Sequence, residues 1–297
     1  MPRALFRSLL LSCMFGASGV SHAAAMKEMG GMHDMSGVRP VTGATKRAVS
    51  KTSGRVNRPA TTSSLTITPE LAHPHGAVAL KLRVLDNRGR AVALQAVHEK
   101  KAHVIVVSND LREFDHIHPT GGGNGTRTLE YTPARGGAHT VFVEVTPKGG
   151  KEQLQSFPLE VTGRNTAQRI KLDLEAKTLG PTRVSLSVPK LNAGEPATLT
   201  FQLTSSASGR PERLGKYLGA AGHAIFISGD RTQFVHEHAM EADMPGMPGM
   251  KMSAGAAMPP GQVQFDVTLP RPGLYKVWGQ FAARGRTLTA PFVIRAL

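Results

Sequence analysis

The sequence predicts an all-β protein made of two tandem immunoglobulin-like β-sandwich domains. Two observations lead to this fold class. The second half of the chain repeats the first at a fixed offset, and each half reads as about seven short alternating strands in roughly 100 residues, with turn residues between them and no helical period. The domains are expected over residues 61–164 and 165–297. A signal peptide (1–23) and a disordered tether containing Met and His (24–60) are expected before them.

The first 23 residues have the features of a secretory signal peptide. Arg3 and Arg7 precede a short apolar stretch, and a small-x-Ala cleavage pattern ends at Ala23. No later segment has the unbroken apolar length that a membrane span needs. The expected location is therefore the periplasm, with no transmembrane segment after cleavage. A lipid anchor at Cys13 is the alternative.

Composition excludes several functions. Cys13 is the only cysteine and lies in the leader, so the mature chain has no disulfide and no thiolate nucleophile or ligand. The net charge of +15 argues against a calcium site, which needs clustered carboxylates. Export and an aromatic content of 5% argue against nucleic acid as a partner. Without a nucleophile elbow, a phosphate loop or paired acids, the chain is not expected to be an enzyme.

The internal repeat is the strongest sequence signal. Thirteen identities occur at an offset of 120 residues, from Pro69/Pro189 to His118/His238. The offset then becomes 136, as at Gly137/Gly273, so the second copy has gained 16 residues. A Met-rich insertion at 239–260 accounts for this difference.

The methionines are concentrated outside the predicted strands, which is not where core-filling residues would lie. Ten remain beyond the leader, many of them three residues apart. Thioethers at such spacing on a chain rich in Gly and Pro favour monovalent copper, or silver by the same softness. The predicted ligands are Met26, Met29, Met32, His33 and Met35 in the tether and Met240, Met244, Met247, Met250 and Met252 in the insertion. An oxidant sink and an adaptable contact surface remain alternatives.

Each copy also carries the pattern His-x12-His-x-His. The residues are His103, His116 and His118 in the first copy and His223, His236 and His238 in the second. Two-residue turns at 109–110 and 229–230 would place His103 opposite His116 and His223 opposite His236. Each copy is then expected to hold its own three-imidazole site for Cu(I), Cu(II) or zinc, where the apolar inner surface of the sandwich ends. A structural histidine cluster is the alternative.

The segments HVIVVSNDLREFDHIHP (103–119) and GGAHTVFVEVTPKGG (136–150) carry a family resemblance. They resemble YtkA-like domains, a family of exported bacterial β-sandwich proteins. The resemblance implies an association with copper and heavy-metal export systems, and the histidines of both copies match the family pattern. The second copy departs from it because Ala239 replaces a proline. The methionine clusters are similar in composition alone to those of periplasmic copper-resistance proteins.

The sequence thus predicts a periplasmic copper-binding protein for sequestration or delivery of the metal. Its expected partners are metal ions and a metal efflux or copper-handling envelope protein. Two alternatives stay open: an envelope interaction module with structural histidines, and a Met-rich scavenger of oxidants.

Overall fold

The protein is all-β, as the sequence predicts. A computed structural model describes residues 61–121, 125–165, 169–239 and 258–297, and these form 17 strands. The first repeat contains β1 (Thr61–Thr68), β2 (Leu71–Ala72), β3 (Val78–Asp86), β4 (Ala102–Ser108), β5 (Phe114–Ile117), β6 (Thr126–Tyr131), β7 (Gly137–Val145) and β8 (Gln153–Val161). The second contains β9 (Lys177–Leu179), β10 (Thr182–Ser187), β11 (Pro196–Ser205), β12 (Leu214–Gly215), β13 (His223–Ser228), β14 (Phe234–His238), β15 (Gln262–Thr268), β16 (Gly273–Ala283) and β17 (Arg286–Ala296). Within the described ranges, no helix is long and apolar enough to cross a bilayer.

Each repeat is a sandwich of two sheets. In the first, a sheet of order β1-β3-β6 faces one of order β2-β8-β7-β4-β5. In the second, β15-β11-β10-β9 faces β12-β16-β13-β14, with β17 also paired to β16. Strands such as β3 alternate buried and exposed residues, as expected when one face packs on the core and the other meets water. A separate apolar core fills each sandwich.

β4 and β13 are the exceptions, because every one of their residues is buried. One face of β4 packs into its own sandwich core through residues such as Val104 and Val106. The other face, with Ile105 and Val107, belongs to a third apolar cluster, which also contains residues of the second repeat. The two repeats therefore pack together through these β4 and β13 sheets, and the described residues from 61 onward belong to one compact unit.

Aromatic side chains contribute reciprocally to this third cluster. Phe114 of the first repeat stacks on Trp278 of the second, with ring centroids 4.6 Å apart. Phe142 of the first stacks on Phe234 of the second at 4.9 Å. Phe114 and Phe234 are equivalent by the 120-residue offset, and Phe142 and Trp278 by the 136-residue offset. Each repeat thus presents the same two aromatic positions to the other.

The histidine-bearing hairpins differ from their predicted register. Both contain four-residue loops, 109–112 and 229–232, instead of two-residue turns. Val104 pairs with Ile117, so His103 lies across from His118, and His223 pairs with His238. The predicted pairings of His103 with His116 and His223 with His236 are wrong by two residues. A shift of two keeps every side chain on the same face, so the three histidines of each copy still lie together.

Buried serines explain the longer loops. The backbone carbonyl of Ser108 accepts from Leu111, which is in the left-handed region (φ 57°). The Ser108 hydroxyl accepts from the backbone of Glu113 at 2.9 Å and donates to Asp110 at 2.5 Å. A side-chain oxygen that accepts from the backbone competes with a tight turn and holds the wider loop. Ser228 makes the same bonds to Gln233 and Asp230.

Candidate metal centre

The histidines of both repeats meet in one cluster between the two sheets. They occupy the ends of the paired strands β4/β5 and β13/β14, on the faces that the repeats turn toward each other. The rings of His103 and His116 lie 5.3 and 5.2 Å from the ring of His236. His116 and His223 are 5.8 Å apart. The predicted position at the edge of an inner surface is therefore wrong, because this face is the outer face of each sandwich. The three histidines of each copy still lie together, but they share the cluster with those of the other copy.

In the first repeat, two ring nitrogens face each other without a proton between them. His103 donates Nε2–H to the backbone carbonyl of Val97 at 3.1 Å, which leaves a lone pair on Nδ1. His116 donates Nδ1–H to Oε1 of Gln280 at 2.8 Å, which leaves a lone pair on Nε2. These two lone-pair nitrogens are 3.0 Å apart, and His118 Nε2 is 3.2 Å from His103 Nδ1. Two lone pairs at this distance repel unless a cation lies between them.

The second repeat has the same arrangement. His223 donates Nε2–H to the backbone carbonyl of Tyr217 at 2.9 Å. His236 donates Nδ1–H to Oε2 of Glu144 at 2.6 Å. The remaining nitrogens, His223 Nδ1 and His236 Nε2, lie 3.2 Å apart. His238 Nε2 is buried and has no hydrogen-bond partner among the described residues.

The hydrogen-bond acceptors of the central histidines are exchanged between the repeats. Glu144 on β7 of the first repeat bonds His236 of the second, and Gln280 on β16 of the second bonds His116 of the first. Glu144 and Gln280 are equivalent by the 136-residue offset. An acceptor that fixes the second ring nitrogen of a histidine is typical of metal-ligating histidines, because it sets the tautomer and ring orientation.

His98 is a seventh member of the cluster. It lies at positive φ (46°) in the turn before β4, and its ring stacks on His238 with centroids 3.4 Å apart. Its ring is also edge-on to His223 at 5.6 Å. The equivalent position in the second repeat is Leu218, also at positive φ (50°). The imidazole environment of the second trio is therefore richer than that of the first.

Burial keeps these imidazoles neutral. Desolvation lowers the pKa of His118 to about 3 and that of His223 to about 4. The same cause lowers the pKa of His103 and places those of His116, His236 and His238 well below the usual range, with mutual repulsion between the histidines adding to it. Burial raises the pKa of Glu144 to about 7. Neutral imidazole is the form that binds metal.

The spacing of the ring nitrogens fits one metal ion. Two groups have ligand atoms that all lie within 4.8 Å of one another: His103, His116 and His236; and His223, His236 and His238. Two nitrogens bound to one tetrahedral ion at about 2.0–2.1 Å are about 3.3 Å apart. The facing pairs at 3.0 and 3.2 Å are close to that separation.

The structure brings together all six histidines that the sequence singled out. Sequence reasoning missed His98, Glu144 and Gln280. The 136-residue offset already relates Glu144 to Gln280, but it does not reveal that each crosses to the other repeat. The other predicted ligands lie outside the described residues: Met26, Met29, Met32, His33, Met35, Met240, Met244, Met247, Met250 and Met252.

Fold and site together define a protein of two face-to-face immunoglobulin-like sandwiches with a histidine cluster between them. The chain belongs to the family described as Domain of unknown function (DUF8832), whose model matches residues 60–163 and 177–297. The resemblance to YtkA-like domains stays a prediction. No curated protein matches the chain.

Similar solved structures are distant. Invasin, a bacterial integrin-binding protein, is 16% identical with a TM-score of 0.23, and the match covers 78% of this chain and 39% of invasin. The Escherichia coli adhesin FdeC is 15% identical with a TM-score of 0.24, covering 79% of this chain and 64% of that one. Salmonella alpha-2-macroglobulin reacted with methylamine is 12% identical with a TM-score of 0.26, covering 80% and 14%. The chain thus spans less than two thirds of each of these proteins.

Proposed function

We propose that this protein binds copper in the periplasm through the histidine cluster between its repeats, for sequestration or for delivery to an efflux or copper-handling partner. The supporting observation is the facing pair of lone-pair nitrogens in each trio, at 3.0 and 3.2 Å. A purely structural histidine cluster would be expected to place a donor against an acceptor at these contacts.

The surroundings of the cluster support a metal ion over a proton. The histidines are held neutral by burial, with the pKa of His223 at about 4, so a proton is a poor occupant at neutral pH. The backbone carbonyls of Val97 and Tyr217 hold the outward nitrogens of His103 and His223, so those two rings cannot reverse their tautomers without losing a bond. A cation that accepts two or three imidazoles satisfies the remaining nitrogens.

Copper is the metal that the donor set favours. Imidazole suits both copper and zinc, and affinity for such sites rises toward copper. The Met-rich segments add soft thioethers, and one of them begins directly after Ala239, at the end of β14. Thioethers select monovalent copper over zinc. The signal peptide predicted at residues 1–23 supports the periplasmic location.

Metal analysis of tag-free protein tests this function. The protein purified after growth with added copper should contain copper, and His236→Gln should lose most of the copper that the cluster holds. His73→Gln is the matched control, because His73 is exposed and lies outside the cluster. The comparison is made in a background without the Met-rich segments. Equal copper content in the His236→Gln variant and the parent chain would show that the histidine cluster is structural.

A further inference from the structure

Both metal-binding groups of the cluster need the same residue. His236 belongs to the group with His103 and His116 and to the group with His223 and His238. Its Nδ1–H is donated to Glu144 at 2.6 Å, so His236 has a single nitrogen, Nε2, with which to bind metal. A terminal imidazole nitrogen has one lone pair and serves one ion. Two ions cannot therefore each be bound by a complete group.

The short distances across the cluster also work against two ions. The rings of the two repeats lie 5.2 to 5.8 Å apart, so ions in both groups would be close neighbours in a buried site. Like charges repel strongly at such separations when water is excluded. Among the described residues, Glu144 is the one carboxylate with an ion-pair contact to a histidine of the trios.

The two trios are not equivalent in their surroundings. The central histidine of the second trio, His236, bonds a carboxylate, whereas its counterpart His116 bonds the neutral amide of Gln280. A carboxylate partner makes an imidazole a stronger ligand than an amide does. His98 also stacks on His238 in the second trio, and Leu218 stands in its place near the first.

The geometry points to a single shared ion: the two histidine groups are alternative positions for one metal ion, and His236, held by Glu144 of the first repeat, is the ligand that both positions need. This inference rests on the proposed function and goes beyond it by fixing the stoichiometry at the histidines and the ligand common to both positions. Glu144 acts as a positioning residue, because it holds His236 and does not itself ligate the ion.

The test uses the full mature chain with Ag⁺ as a diamagnetic stand-in for Cu⁺. The ten methionines beyond the leader are replaced by Leu and His33 by Gln, so that the cluster is the remaining soft-metal site. Native mass spectrometry at saturating Ag⁺ should count one ion per chain. Histidine ring ¹⁵N spectra should show an Ag⁺-induced shift at His236, whichever other histidines shift with it.

Variants of the acceptor residues test the role of His236. Glu144→Gln should weaken Ag⁺ binding by roughly 10- to 100-fold. Gln280→Glu is the matched change at the equivalent acceptor, and it should leave the count at one ion with the His236 signal still shifted, because His116 belongs to one of the two groups only. A role of Glu144 in folding alone would leave the Ag⁺ affinity of the folded Glu144→Gln chain unchanged.

Each contrary result has a distinct meaning. Two ions per chain, or Ag⁺ binding that leaves the His236 signal unshifted, would overturn the shared-ion inference and leave copper binding intact. No Ag⁺ on any histidine would overturn the proposed function as well. The count needs no substitution within the histidine cluster, so it decides the stoichiometry by itself.

Discussion

Burial decides the protonation state of the histidine cluster residue by residue. His223 is fully buried, and desolvation lowers its pKa to about 4, while that of His118 falls to about 3. In the unfolded chain both titrate near 6.5. The folded state therefore excludes a proton that the unfolded state accepts, and the difference between the two states depends on pH.

Acid should destabilise the metal-free protein through these residues. The folded pKa lies below the unfolded one, so the stability is fully present above pH about 6.5 and is lost as pH falls toward about 4 for His223 and about 3 for His118. The loss at His223 alone is about 3 kcal/mol. Urea unfolding of the metal-free chain at pH 7, 5.5 and 4.5 measures it. His223→Gln should flatten the dependence, and a pH-independent parent chain would contradict the prediction.

The sequence predicted which histidines share a face but not their partners. The spacing His-x-His guarantees one face in any strand, whatever the register. The register itself depends on loop length, and the buried hydroxyls of Ser108 and Ser228, which hold the longer loops, cannot be recognised from residue type alone. Glu144 and His98 were missed because their role arises from contacts between the repeats.

At the scale of the element, each histidine hairpin depends on its serine. The hydroxyl of Ser108 is fully buried and bonds Asp110 and the backbone of Arg112 and Glu113. Its removal leaves backbone donors without an acceptor in a buried loop.

Ser108→Ala should therefore destabilise the protein by about 1–3 kcal/mol, because buried donors lose their partner. Ser63→Ala is the matched control, since the Ser63 hydroxyl is buried and has no partner among the described residues. The Ser63→Ala substitution should leave the free energy of unfolding almost unchanged. Thermal or urea unfolding compares the two variants, and equal losses would show that the loop bonds add nothing to stability.

The Met-rich segment that follows β14 gives a second prediction at this scale. Met240 lies two residues after His238 in the sequence, so its thioether is tethered close to the second trio. A short tether gives a local concentration of about millimolar. Replacing Met244, Met247, Met250 and Met252 with Leu should leave the melting temperature unchanged and reduce binding of Ag⁺.

Titration with Ag⁺ in a chain that lacks residues 24–60 measures this loss, and the same four-residue replacement in a His236→Gln background is its control. Undiminished Ag⁺ binding after the replacement would show that this segment does not bind soft metal ions.

For the whole molecule, the sheet-to-sheet contact between repeats positions the metal centre. The strands of each sandwich and the repeat were recognisable from alternation and self-similarity. The packing of one repeat on the other could not be recognised from the sequence. β4 and β13 are buried on both faces, so the alternation pattern does not show which face lies inside the sandwich. The apolar residues Ile105 and Val107 therefore suggested the inside of a sandwich, whereas they contact the other repeat.

Substitution of Trp278 tests whether the contact between the repeats supports metal binding. Trp278→Ala removes the stacking on Phe114 and should destabilise the chain by about 3–5 kcal/mol, with weaker metal binding because the trios then lose their fixed separation. Leu172→Ala is the control, since Leu172 is 54% exposed and should change neither quantity. Unfolding curves and Ag⁺ titration on the same samples measure both. Full metal affinity in a destabilised Trp278→Ala chain would show that metal binding does not depend on the contact between the repeats.

The exchange of Glu144 and Gln280 between the repeats has a consequence for symmetry. Two identical copies of a single repeat, facing each other in the same way, would carry the same residue at both acceptor positions, either two carboxylates or two amides. When the copies are joined in one chain, the two acceptor positions can carry different residues, and here one is Glu and the other Gln. A tandem chain can therefore give its two central histidines different strengths as ligands, which a symmetric homodimer of the same domain has no means to do.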